Sequence, residues 1–395
     1  MTSRRSHQCG PVWRPAQWAA LPRAEGWCRS ARNRVLPSRM ARIAAVATAL
    51  PEHVYPQAEI TETIGSIVTR DRSKRAVLDR LHQSSRVDTR HLVMPLERYL
   101  DPQTFTQSND MFIKIAADLA ERSLREALAT AGLEPADVDY VMFTSVTGIS
   151  APSIDALLVA RLGLRSDVKR VPMYGLGCVA GAAGIARVAD YLVGHPDDVG
   201  VLVSVELCSL TFQRDDESTA NLVATGLFGD GAASVVMVGS DRAERMSAAG
   251  PEVVDTRSRI YPDTEEVIGF NASETGFRII LTPRVSEVVE EHFGHDVRAF
   301  LADNGSTVDE VAGWIAHPGG PRVLETFASA LDLTDDELAI SWRSLARVGN
   351  LSSASVLHIL ADSIDELDPS PGDRTVLFAL GPGISAELVL LEWPA

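Results

Sequence analysis

The sequence predicts an α/β fold in which one structural plan is used twice. After Met40, short β-branched runs alternate with amphipathic stretches, the pattern of helices covering a sheet. Two pairs of segments then repeat across a break near residue 240. Residues 127–147 and 299–318 each read as a helix end, a turn and a buried strand, while Leu227–Gly239 and Leu380–Trp393 each read as a Gly-rich hairpin turn entering a hydrophobic strand. The break gives an N-terminal half, 41–240, and a C-terminal half, 241–395.

Residues 1–39 stand apart. They hold eight Arg, no Lys, the single acid Glu25 and three of the six Trp, and no apolar stretch follows the Arg4–Arg5 pair to make an export signal. Without hydrophobic periodicity, a disordered and dispensable leader is expected there, with Met40 as the natural start. Ala41 to Ala49 then reads as a strand. Apolar side chains at helical spacing over 110–132 predict a helix stopped by Gly132, and 138–146 predicts the strand after it. Val171–Tyr174 reads as a strand leading through a Gly-rich turn into a helix of small residues, and helical stretches are expected near 336–347 and from Ala354.

Composition bounds the function. Acidic residues outnumber basic ones by 53 to 37 in the 395 residues, giving a formal charge of −16, which argues against a nucleic-acid surface. No apolar run approaches the roughly 20 residues needed to cross a bilayer. A soluble, cytoplasmic protein is expected. The four cysteines, Cys9, Cys28, Cys178 and Cys208, form neither a disulfide framework nor a metal-ligand spacing, so no metal is expected and Cys178 is left as a free thiol.

Three residues carry candidate chemistry. Cys178 stands in Gly175-Leu-Gly-Cys-Val-Ala-Gly, where a strand turns into a helix. The unpaired N–H groups at a helix start favour an anion, so the thiol pKa is expected to be lowered. A buried structural cysteine is the bland alternative. His317, in Ile-Ala-His-Pro-Gly-Gly, closes the second half's buried strand and faces a Gly-rich loop. Asn350, in Gly-Asn-Leu-Ser-Ser, suits a turn or helix cap, or a donor that pairs with His317 to hold a thioester oxygen.

Together with Gly226-Leu-Phe-Gly-Asp230-Gly and Gly381-Pro-Gly-Ile-Ser, these motifs occur in an order that resembles the type III polyketide synthases, the chalcone-synthase-like family, over nearly all of 41–395. The resemblance implies a thiolase-like fold of five layers, α-β-α-β-α, and a homodimer. It implies malonyl-CoA and an acyl-CoA starter as substrates, and no cofactor. It makes Cys178 the acyl-thioester nucleophile, His317 the group that keeps it ionised, and Asn350 the partner of His317 in binding the malonyl thioester carbonyl.

Phe228 and Phe277 match the family's gatekeeping aromatics, and Thr211, Cys208 and Ser352 match cavity-lining positions. Ala151 falls in the loop that crosses the family's dimer interface. Arg80 fits a CoA-binding position, although Val77 and Ser84 stand where plant members carry Lys. A fatty acyl starter giving alkylpyrones or alkylresorcinols is expected, with a malonyl-primed tetrahydroxynaphthalene or a dihydroxyphenylacetyl product as alternatives. The competing functions are a ketoacyl synthase III-like enzyme that condenses once, a papain-like cysteine hydrolase, and a silent scaffold.

Overall fold

The computed structural model describes residues 40–214 and 216–394, so the expected leader at 1–39 lies outside the described residues. The strands are β1 (Arg42–Ala49), β2 (His53–Pro56), β3 (Thr89–Leu92), β4 (Tyr140–Thr144), β5 (Lys169–Met173), β6 (Val199–Leu207), β7 (Asp230–Val238), β8 (Glu252–Ile260), β9 (Ile268–Ser273), β10 (Gly276–Leu281), β11 (Val311–Ala316), β12 (Arg374–Gly381) and β13 (Ser385–Glu392).

Nine of them form one sheet in the order β5-β4-β6-β7-β1-β8-β13-β12-β11. Outward from the central β1–β8 contact, the two sides repeat. β7 and β13 are antiparallel to their inner neighbours, β6 and β12 pair antiparallel with β7 and β13, and β4 and β11 run parallel to β6 and β12. The remaining strands form two small pairs, β2–β3 and β9–β10.

Side-chain alternation along each strand produces the layers, because successive residues face opposite sides of a sheet. On β6, Val199, Val201, Val203 and Val205 join a core with the long helix Phe105–Thr130, whereas Leu202 joins a second core. On β12, Val376, Phe378 and Leu380 pack with the helices Gly294–Asp303 and Pro321–Leu331, whereas Leu377 and Ala379 face that same second core. The second core is filled by two helices, Ala180–Val193 and Ser355–Glu366, lying between the two half-sheets. Five layers, α-β-α-β-α, result.

The small residues after Cys178 belong to this middle layer. A Cβ on Gly181 would lie 2.3 Å from the Ser353 carbonyl oxygen, and one on Gly184 would lie 2.4 Å from Leu202. Glycine there lets the two central helices approach each other and the sheet.

The first repeat has the same elements in both copies. The helix Phe105–Thr130 leads through the 3-10 turn Pro135–Asp137 to β4, and Gly294–Asp303 leads through Val308–Glu310 to β11. Gly132, at φ +67°, follows the first of these helices as expected. The second repeat differs from its reading. β13 follows β12 through a hairpin turn, but β7 follows the helix Thr219–Leu227, because the chain between β6 and β7 makes a long excursion from the sheet before pairing. Among the described residues no helix is long and apolar enough to cross a membrane.

Candidate active site

Cys178 sits in the 3-10 turn Gly177–Val179, between β5 and the central helix Ala180–Val193. Gly177 has φ +55°, and a Cβ there would lie 2.6 Å from the Pro382 ring, so glycine at this position brings the Gly381–Gly383 turn down against the cysteine. The half-buried Sγ of Cys178 approaches Ser352 Oγ at 3.6 Å. Burial pushes the thiol pKa up to about 12; the Ser352 contact opposes this shift and the Glu206 charge adds to it. The expectation of a lowered thiol pKa is therefore corrected. Desolvation of the sulfur outweighs the Ser352 contact and the Cys178 backbone N–H that favour the thiolate.

Asn350 follows the helix Ala339–Val348 through Gly349, which has φ +72° and where a Cβ would lie 2.6 Å from the Leu227 carbonyl oxygen, leaving no room for a side chain. The amide orientation is fixed by its neighbours. Ser352 N–H, which can only donate, lies 2.7 Å from Oδ1, and Ser355 Oγ donates to the same oxygen at 3.3 Å. Nδ2 therefore faces the loop after His317, donating to the Gly319 carbonyl at 3.4 Å.

His317 immediately follows β11, with its backbone N–H donating to the Phe378 carbonyl at 2.9 Å. Its ring is buried, and neither Nδ1 nor Nε2 has a hydrogen-bond partner among the described residues. Burial lowers its pKa to about 3, which makes it neutral at pH 7. No hydrogen bond joins it to Cys178, so the ion pair implied by the resemblance is not formed in this state of the chain. A buried imidazole with both nitrogens unsatisfied carries a desolvation cost of about 1–3 kcal/mol per group.

Cys178, Cys208, Thr211, Phe228, Phe277 and Ser352 line one cavity of about 650 Å³, measured as all space between atoms with the mouth included. Asn350 lies behind this wall, paired through its backbone with Phe228. A chain of contacts, Cys178 to Ser352, Ser352 N to Asn350, and Asn350 to Gly319, brings the three catalytic candidates into one region. Arg80 and Ala151 are not in the lining. Both are exposed, and the Arg80 Nε turns back to the Ala76 carbonyl at 3.3 Å.

Comparison with known proteins decides the family. Residues 28–242 match the N-terminal domain of the chalcone and stilbene synthases, and residues 252–393 match their C-terminal domain. The chain belongs to the chalcone and stilbene synthase family. It is a type III polyketide synthase, 52% identical to 1,3,6,8-tetrahydroxynaphthalene synthase of Streptomyces peucetius over 89% of this chain and 93% of that one. The Streptomyces griseus enzyme of the same name is 32% identical, over 90% and 93% of the two chains. The crystal structure of tetrahydroxynaphthalene synthase from Streptomyces coelicolor A3(2), a bacterial type III polyketide synthase, superposes with a TM-score of 0.84 at 30% identity, covering 90% of this chain and 99% of that one. The papain-like hydrolase reading falls with this match.

The sequence did not single out two residues of this polyketide synthase, Glu206 behind the cavity wall at Thr147 and Gln213 in the lining itself. Glu206 is fully buried on β6, where its carboxylate accepts from Ser353 Oγ (2.5 Å), Thr147 Oγ1 (3.0 Å) and Val146 N–H (3.1 Å). Burial raises its pKa against those donors. A lone acid in the apolar strand Val199–Leu207 was the signal available for it. Gln213, also buried, lines the cavity, and no local pattern announces it.

Proposed function

We propose that this polyketide synthase primes Cys178 with malonyl-CoA and extends it with further malonyl-CoA to 1,3,6,8-tetrahydroxynaphthalene. The observation that carries the chemistry is the buried His317, unpartnered at both ring nitrogens, with the Asn350 amide donating to the Gly319 carbonyl in the loop that follows it. The extent of identity with the Streptomyces peucetius enzyme supports the choice of starter and product. A naphthalene skeleton has ten carbons, which malonyl units alone supply in two-carbon pieces once every unit, the starter included, has lost its carboxylate as carbon dioxide.

In the loading step the Cys178 sulfur attacks the thioester carbonyl of the bound starter. Its proton passes to neutral His317, and CoA leaves as the thiol after taking that proton back. Burial opposes each charge alone, but adjacent opposite charges stabilise one another, so the proton moves only as the pair forms. A second malonyl-CoA then places its thioester oxygen between His317 N–H and Asn350 Nδ2. Carbon dioxide departs, and its bonding electrons form an enolate stabilised by the two donors. The enolate carbon attacks the Cys178 thioester, a carbon–carbon bond forms, and the cysteine leaves as thiolate. Glu206 does not quench the enolate as a base, because it is held outside the cavity lining with its carboxylate accepting from Ser353, Ser145, Thr147 and Val146.

Two further assignments belong to this reading. Arg80, exposed on the helix Arg72–Gln83, contacts the CoA phosphates. The edge strand β5, exposed over 169–172 and flanked by exposed Ile149 and Tyr174, joins a second copy of the chain in a homodimer with Ala151 at the interface. The apolar lining, including Phe228, Phe270, Phe277 and Ile279, favours a second reading in which a fatty acyl-CoA is the starter and an alkylpyrone or alkylresorcinol the product. Incubation with malonyl-CoA alone and with acyl-CoA starters, followed by mass analysis, separates the two. Tetrahydroxynaphthalene from malonyl-CoA alone supports the first reading. Turnover only when a fatty acyl-CoA is added rejects it.

A further inference from the structure

The outer wall of the cavity is the hairpin β9–β10, which stands apart from the nine-stranded sheet and supplies Ile268, Phe270, Phe277 and Ile279 to the lining. A two-stranded hairpin is marginally stable alone in water, so its position depends on what ties it down. At its root, Gly383 N–H donates to the Ile268 carbonyl at 3.0 Å and Thr282 N–H donates to Val267 at 3.0 Å.

At its tip the tie is a side chain, Gln213, only 4% exposed. Its Nε2 donates to the Thr211 carbonyl at 3.0 Å and to the Phe277 carbonyl at 3.3 Å, with the Thr275 carbonyl at 3.5 Å. Its Oε1 accepts from Thr275 Oγ1 at 2.6 Å. The Gln213 backbone is held in turn, since Asn221 Nδ2 donates to its carbonyl at 3.0 Å. The hairpin turn is shaped for this seat. Gly276 has φ +116°, and a Cβ there would lie 3.4 Å from the Phe105 ring and 3.6 Å from Gln213 Nε2, while Phe105 meets Phe277 edge to face with centroids 5.5 Å apart.

We propose that Gln213 is a positioning residue that sets specificity. By clipping the Thr275–Phe277 end of the hairpin to the Cys208–Thr211 wall, it fixes the ceiling formed by Phe270 and Phe277. That ceiling limits the length of starter or polyketide chain the cavity holds. The proposal rests on the reading that the growing chain is carried on Cys178. A carboxamide suits the task because it offers two donors to carbonyls and one acceptor to a hydroxyl. A carboxylate of the same shape would face those carbonyls with no donor.

The test uses the full chain and three variants, Gln213→Glu, Gln213→Ala and Thr275→Val, the last removing the hydroxyl that bonds Gln213 and Ser273 from a residue at the exposed tip. Hydrogen exchange is followed over 268–281, and products are measured from malonyl-CoA alone and from acyl-CoAs of increasing length. Gln213→Glu is expected to speed exchange in 276–281 by about tenfold. It should also raise the kcat/KM ratio of the longest to the shortest accepted acyl-CoA by about fivefold, through KM rather than kcat, and shift products towards longer chains. Thr275→Val should act in the same direction with smaller size, and it decides the matter if the Gln213 variants do not fold. Unchanged exchange overturns the clip. Faster exchange with unchanged chain-length preference overturns its role in specificity. If the wild-type protein makes no polyketide, the reading of Cys178 fails, while the exchange comparison still tests the clip.

Discussion

Phe228 and Asn350 share one backbone bridge: Asn350 N–H donates to the Leu227 carbonyl at 2.9 Å, and Gly229 N–H donates to the Asn350 carbonyl at 3.0 Å. The aromatic on the cavity wall and the amide behind it are therefore positioned by the same pair of hydrogen bonds.

Asn350→Asp tests the amide while preserving its shape. A carboxylate there would oppose the enolate oxygen, so malonyl-CoA decarboxylation should fall by about a hundredfold or more. Transfer of a radiolabelled starter onto Cys178 should persist. Decarboxylation within a few-fold of wild type would remove Asn350 from the chemistry.

The roles given to Cys178 and His317 predict a pH signature. In His317→Ala the sulfur loses the proton acceptor proposed for the loading step, while the burial that already pushes its pKa up to about 12 in the intact chain remains. The pH at which iodoacetamide alkylation of Cys178 reaches half its limiting rate should therefore rise relative to wild type. Identical profiles would mean that the imidazole does not assist ionisation.

Arg90 underlies the Phe228 loop. It is fully buried, and it donates to the Phe228 carbonyl at 2.7 Å and to Gln57 Oε1 at 3.0 Å, with the Asp230 charge helping to hold its pKa up against burial. Arg90→Ala leaves Asp230 buried without its counter-charge, so stability should drop by roughly 3 kcal/mol in a denaturant titration. A drop below about 1 kcal/mol would show that the other donors to Asp230 suffice.

Gly181→Ala places a methyl 2.3 Å from the Ser353 carbonyl and 2.7 Å from Val356. A backbone oxygen in a packed layer cannot yield cheaply, so the variant should lose about 2 kcal/mol and reduce turnover by displacing the Ser352 turn against Cys178. Wild-type melting and wild-type turnover together would contradict the packing described for the central helices.

Acid should destabilise the fold. Burial lowers His317 to about 3, and His82 and His358 each to about 4, from an ordinary value of 6.5. Between pH 6.5 and 4 the unfolded chain thus binds more protons at these sites, and their contribution is present above pH 6.5 and lost as pH falls. Asp230, raised by burial to about 6, and Glu206, also raised by burial, act in the opposite sense but are two groups against three. The melting temperature should fall by about 5 °C or more from pH 7.5 to pH 5, and a flat profile would contradict the neutral burial of these rings.

Much of the site was legible because its signals are local. Cys178 sits between glycines that only a tight strand-to-helix turn requires, and the His317 and Asn350 motifs end a strand and a helix as read. Glu206, Gln213 and Arg90 were not legible, since each acquires its role from segments far away in the chain. The hairpin expected before β7 failed for a related reason: the Gly-rich motif is the same in both halves, but what precedes it differs.

The sequence by itself determined the alternation of elements and the duplicated plan and singled out Cys178 as the candidate nucleophile, because periodicity and glycine conformations are properties of neighbouring residues. Only the tertiary structure decided the charge states of Cys178 and His317 and which side chains wall the cavity. Desolvation depends on everything packed around a group, and that surrounding is assembled from both halves of the chain.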